Sequence, residues 1–207
     1  MGELQFTFGV SVRCSDGEGG EVVRVVVDPL ARKATHIVVE PRHRQGLGRL
    51  VPLDFVESSN DEVMLRCTVD EFEMFDVAEV TDFLPGTADY EGHDGQFVLP
   101  LPYIPLASGS ATLPVTHDKI PIGEVAVRRG VPVLAKDGEI GRVEGLVIDP
   151  GDHHVTHVLL QEGHLWGRKE VAIPISAVVD FGSEIRIGIT KQQVQDLPPV
   201  DVDHRGE

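Results

Sequence analysis

Residues 9–41 recur at 130–162 without a gap, and this long-period repeat constrains the fold more than any other feature of the chain. At an offset of 121 positions the shared residues are Gly9/Gly130, Val10/Val131, Val12/Val133, Asp16/Asp137, Gly17/Gly138, Glu18/Glu139, Gly20/Gly141, Val22/Val143, Val26/Val147, Asp28/Asp149, Pro29/Pro150, Thr35/Thr156 and His36/His157. One inserted residue later, at an offset of 122, Pro52 meets Pro174, Glu62 meets Glu184 and Thr68 meets Thr190. Each copy has the length of a small domain, far longer than a solenoid unit. The 207 residues therefore read as two copies of one domain, 8–82 and 128–199, with 83–127 between them and 200–207 as a flexible tail.

Each copy reads as all-β. In the second, "VPVLA" is a strand and "KDGEIG" supplies an Asp-Gly hairpin signal. "RVEGLVID" follows and Asp149-Pro150 breaks it; then come "VTHVLLQ", dense in β-branched residues, "EVAIPI", a short strand near "AVVDF", and "EIRIGIT". Six short strands with tight turns predict a small closed barrel. A short helix is expected after each barrel, because Thr68 to Glu71 and Thr190 to Gln193 both fit a capping box. The first helix is expected to run to about Glu79, burying Phe72 and Phe75, and "LPPV" at 197–200 to stop the second. The intervening arm, 83–127, is too rich in proline for a regular helix. Its stretch "FVLPLPYIPL" is too apolar for a solvated linker, so it is expected to pack extended on a barrel and to bury Phe97, Leu99, Leu101, Tyr103 and Ile104 in part.

Charge excludes one function class. The net charge is −16, and phosphate binding needs clustered Lys and Arg, so direct nucleic-acid binding is not expected. Between Glu57 and Gln96 twelve acids face one base, Arg66, which gives a solvated face or a landing surface for a basic partner. No apolar run approaches the ~20 residues of a membrane helix. The start "MGELQFTFGV" lacks a basic n-region, and Phe6 breaks the myristoylation pattern, so neither a signal peptide nor a lipid anchor is expected. Two cysteines make no disulfide framework, and a cytoplasmic location is the expectation.

The order Gly-Val-x-Val, Asp-Gly-Glu-x-Gly-x-Val, Asp-Pro, Val-Thr-His-Val-Leu-Leu, Ile-Pro resembles the PRC-barrel family, most closely in "HVTHVLLQEGHLWGRKEVAIPI" of the second copy. That family includes the cytoplasmic domain of the photosynthetic reaction centre H subunit and the C-terminal domain of the ribosome maturation factor RimM. The resemblance covers both copies but not the arm, and copy 2 is similar to stand-alone bacterial members. It implies two tandem six-stranded barrels that dock other proteins without catalysis. Neither a membrane helix of the H-subunit kind nor a RimM-like N-terminal domain is read in this sequence.

The candidate sites are weighed against plain scaffold. His153, His154 and His157 suggest a metal site, but the first two correspond to Arg32 and Lys33, and no set of zinc ligands is apparent. Asp28 with His36, and Asp149 with His157, suggest an oriented general base, yet no nucleophile recurs beside them. The simpler reading has Asp cap its turn while Thr35, His36, Thr156 and His157 hydrogen-bond across it. Cys14 and Cys67 correspond to Ala135 and Ile189 and read as small buried hydrophobes, with a redox pair as the minor alternative. The loops before the fifth strand differ most between the copies: Arg42, His43, Arg44 and Arg49 in the first, His164, Trp166, Arg168 and Lys169 in the second. Trp and Arg dominate interface energetics, so these are the candidate interaction loops, with Trp166 folded back on the barrel as the other reading.

The expectation is thus a noncatalytic interaction or scaffold protein with no cofactor, an unidentified protein partner and a homo-oligomer left open. The alternatives are a RimM-like factor of ribosome assembly or RNA processing that binds a basic ribosomal protein, and a metal-binding or enzymatic protein.

Overall fold

A computed structural model describes residues 4–41, 48–59, 62–85, 112–162 and 171–197. The expected burial in "FVLPLPYIPL" and the tail at 200–207 lie outside the described residues. The first part of the chain forms β1 (Leu4–Thr7), β2 (Ser11–Arg13), β3 (Glu18–Asp28), β4 (Lys33–Glu40), β5 (Arg49–Pro52), β6 (Val56–Ser59), β7 (Glu62–Leu65) and the helix α1 (Val69–Met74). Next come β8 (Glu79–Pro85), β9 (Thr112–Asp118) and β10 (Val125–Arg128). The remainder forms β11 (Pro132–Ala135), β12 (Gly138–Ile148), β13 (Val155–Glu162), β14 (Val171–Pro174), β15 (Val178–Phe181), β16 (Ile185–Ile187) and the helix α2 (Lys191–Gln195).

Two sheets share one topology. The first runs β5-β4-β3-β2-β7-β6 and the second β14-β13-β12-β11-β16-β15. Each contains one parallel pairing, β2 with β7 and β11 with β16, and each bends its longest strand at a bulge, after Val22 in β3 and after Val143 in β12. A bulge increases local twist and curls a sheet around its core. Asp137-Gly138 makes the tight connection of β11 to β12, with Gly138 at φ +124.

Each sheet has seven strands, and the seventh comes from the other half of the chain. β1 pairs with β12, setting Leu4 to Thr7 against Ile148 to Gly145. β10 pairs with β3, setting Val125 to Arg128 against Val27 to Arg24. Every partner in one set lies 121 positions from its counterpart in the other. The expected copies, 8–82 and 128–199, leave out β1 and all of β10 but Arg128, although these strands pair with the copies' own sheets. The crossing is abrupt. The Phe8 amide donates to Glu144 O of the second sheet at 3.0 Å, and the next amide, Gly9, donates to Val22 O of the first at 2.8 Å. Gly9 (φ +90) and its counterpart Gly130 (φ +84) hold the left-handed backbone this reversal needs.

Phe6, on β1, and Val127, on β10, are buried in one continuous apolar cluster that includes Val12, Leu65 and Phe72 of the first half and Val133, Leu146 and Ile185 of the second. The halves therefore share a core.

The helix after β7 is shorter than the sequence suggests. α1 ends at Met74 rather than near Glu79, and Phe75 is extended. The reason is competition from the sheet: Leu50 N–H donates to Asp76 O, Ala78 N–H donates to Gly48 O, and Val77 bridges to Arg49, all along the edge of β5. Phe72 is buried, whereas Phe75 is only partly so and stacks edge-on with Phe55 at 5.0 Å. β8, which starts before the expected arm, and β9, inside it, form an antiparallel ladder whose base is tied to the first sheet by Arg24, which pairs with Glu79 and with Asp118 at 2.7 Å.

Candidate functional site

The histidine-rich stretch sits at the tip of the β12–β13 hairpin. Asp149 Oδ1 accepts from the Gly151 amide at 2.7 Å, and Asp28 Oδ1 does the same at the β3–β4 tip, from Leu30 at 2.8 Å and Ala31 at 3.0 Å. Both carboxylates are occupied at their own turns. His153 and Arg32 then take the left-handed conformation, at φ 60 and 55. That twist aims their carbonyls at the opposite tip: Ala34 N–H donates to His153 O and Val155 N–H to Arg32 O, both at 2.9 Å. His154 bridges to Lys33 between them. The two tips thus meet each other, and the backbones of His153 and His154 form the contact. Among the described residues no group of three or more His, Cys, Asp or Glu side chains is placed to hold a metal ion.

His157 and His36 lie three residues further along the same hairpins, in β13 and β4, opposite Val147 and Val26. Each ring sets Nδ1 against the preceding threonine hydroxyl, at 3.1 Å for Thr156 and 2.9 Å for Thr35. Thr156 Oγ1 lies 3.3 Å from the Val147 carbonyl, and Thr35 Oγ1 lies 3.4 Å from that of Val26. Thr35 has a nearer acceptor, Glu124 Oε2 at 2.5 Å, which also stands 4.0 Å from His36 Nδ1. Burial pushes the His36 ring below its ordinary value, and the Glu124 carboxylate opposes that only in part. A nucleophile would need its hydroxyl proton taken by histidine. Here the hydroxyl has a carboxylate acceptor instead, so the group acts as a latch that ties the segment entering β10 to β4.

Glu124 escapes a reading confined to 9–41. Its signal is present: Gly2-Glu3 and Gly123-Glu124 stand at the same 121 offset, so the repeat extends upstream into the exchanged strands.

Asp16 and Asp137 hold the helices. Asp16 Oδ1 accepts from the Val69 amide at 2.8 Å and Asp137 Oδ1 from the Lys191 amide at 2.9 Å, across each half. Thr68 with Glu71, and Thr190 with Gln193, complete a capping box at each helix. The cysteine thiols of Cys14 and Cys67 meet inside the first half, both buried and reduced. Burial, and then the neighbouring thiol, push Cys14 up to about 12; burial raises Cys67 as well. A thiolate is the reactive form, so this pair is chemically quiet at neutral pH.

Of the candidate interaction residues, Arg49 is described. Its Nη1 donates to Phe75 O at 3.0 Å, closing the end of α1. Arg42, His43, Arg44, His164, Trp166, Arg168 and Lys169 lie outside the described residues. No helix among the described residues is long and apolar enough to cross a membrane.

No curated protein matches the chain. The stretch of the second half that runs from the β10–β11 turn into α2, residues 129–194, matches the PRC-barrel domain.

Proposed function

We propose that the protein is a noncatalytic interaction scaffold of the cytoplasm, built from two PRC-type closed barrels. The observation that carries this reading is the use made of the polar residues both copies share. Asp16 and Asp137 hold helix starts, Asp28 and Asp149 hold turns, and Thr68 and Thr190 cap helices. Thr35 and Thr156 engage the neighbouring histidine, so each of these shared groups has a partner within the protein itself. Divergence is concentrated in the loops 42–49 and 163–170, where Arg and Trp would anchor a protein partner.

The test pairs capture with stability. Trp166→Ala is expected to weaken partner capture from the native cell while leaving the melting temperature nearly unchanged. A loss of roughly 3–5 kcal/mol of stability instead would make Trp166 a core plug and end the docking role of this loop.

A second reading, a RimM-like accessory factor that binds a basic ribosomal protein, is favoured by the net charge of −16. Co-sedimentation with ribosomal particles at moderate salt supports it, and recovery in the ribosome-free fraction alone opposes it.

A further inference from the structure

The exchange of β1 and β10 is one docking event made twice in opposite directions, since each contact has its counterpart at the same offset. The hairpin tips obey the same relation. Ala34 to His153 and Val155 to Arg32 are equivalent bonds, and Lys33 meets His154, its own counterpart 121 positions on. A residue touching its own equivalent lies beside a two-fold axis, as in the isologous interface of a symmetric dimer. Phe6 and Val127 sit at the matching places on either side, both in the shared core.

We propose that the partner each half is built to recognise is the other half: the chain is a strand-exchanged dimer in one polypeptide, assembled through β1 and β10, and the connection 86–111 is not needed to hold it together. The pairing is also selective. Phe6 lies opposite Leu146 beside Gly145, and a Cβ at Gly145 would stand 2.4 Å from Phe6 O. Val127 lies opposite Val25 beside Arg24, which Glu79 and Asp118 hold. Two second halves together would set Val127 in the space of Phe6 and leave a void. Two first halves would force Phe6 into the space of Val127 and set Lys33 against Lys33 at the tip. Both homotypic pairs are worse than the pair the chain contains.

The test is a protease site inserted within 86–111 of the full chain, cut after folding. The halves are expected to elute together at the size of the intact chain at micromolar concentration. After separation in denaturant and remixing, native mass spectrometry should find the 1:1 pair of unlike halves. Separation on cutting overturns the proposal, and so does refolding into like pairs. The β8–β9 ladder also spans the cut, and two variants distinguish the contributions. Phe6→Ala in the cut protein should weaken the pair more than about a hundredfold. Val80→Pro, which places a proline in the ladder, should leave it intact. The reverse pattern overturns the exchange as the source of assembly. Should Phe6→Ala fail to fold before cutting, Val127→Ala gives the same reading at about tenfold.

Discussion

Replacing Gly145 with alanine should destabilise the protein, although glycine to alanine inside a strand ordinarily does the opposite. Gly145 faces Thr7 across the β1–β12 pairing. An added Cβ stands 2.4 Å from Phe6 O and 3.1 Å from Thr7 Cα. Both are backbone atoms, so no side chain can rotate away; β1 must retreat by about 1 Å to reach ordinary contact. If the strand shifts and stays, overpacking costs about 1–3 kcal/mol. If it leaves, the lost burial of Phe6 costs about 1.5–3 kcal/mol. For a chain of this size either route lowers the melting temperature by roughly 2–10 °C.

Without β1 on this strand the same substitution removes only the entropy of glycine, and stability rises by about 0.5–1 kcal/mol. The sign therefore decides. Thermal and urea unfolding of Gly145→Ala beside the parent protein supply the measurement, and amide exchange at Phe8, which donates to Glu144 O, supplies the location. A raised or unchanged midpoint would refute the seating of β1.

Three further outcomes follow from the described contacts. Because burial lowers His36 from 6.5, the unfolded chain binds more protons than the folded one just below that pH; stability is full above about pH 6.5 and falls as pH drops beneath it, and His36→Gln should flatten that slope in urea midpoints. Thr68→Ala and Thr190→Ala each remove a capping box and should cost about 1 kcal/mol, read as a lower denaturant midpoint with an unchanged slope. Cys14 and Cys67 should resist thiol reagents in the folded protein at about pH 8 and react at once in denaturant; fast modification of the native protein would contradict their buried, protonated state.

The local grammar of the fold was legible, and the reasons are local too. Asp137-Gly138 announces a hairpin, Asp149-Pro150 ends a strand, and Thr190 with Gln193 starts a helix; each signal is read within a few residues, and each appears at its place. The end of α1 was not legible, because residues 76–78 leave the helix to pair with the edge of β5, and that edge is distant in sequence. β1 and β10 were hidden for the same reason in stronger form. "LQFT" and "VAVR" are four residues each and share no identity, so neither periodicity nor the repeat marks them as strands. What marks them is the partner they choose, and that choice is made by a core drawn from both halves. The Gly2-Glu3 and Gly123-Glu124 match was the available clue, since it carries the repeat past the residues that cross.

The exchange also explains where the copies agree and where they are free to differ. A residue at a turn or a cap serves its own half, whereas the hairpin tips also meet each other, so a backbone change at a tip disturbs both sheets. Arg32 and His153 illustrate this: unlike in chemistry, they adopt one backbone conformation, because each carbonyl must reach an amide of the opposite tip. Side-chain identity is released at such a position while geometry is held. The histidines of the second tip therefore need no ligand to account for them. Over 42–47 and 163–170 the sequences of the two copies diverge, into basic residues on one side and a tryptophan with basic neighbours on the other. On the proposed docking role, a chimera that carries the first loop in both halves should keep the fold while losing partner capture that depends on Trp166; loss of the fold instead would place the loop among the structural elements.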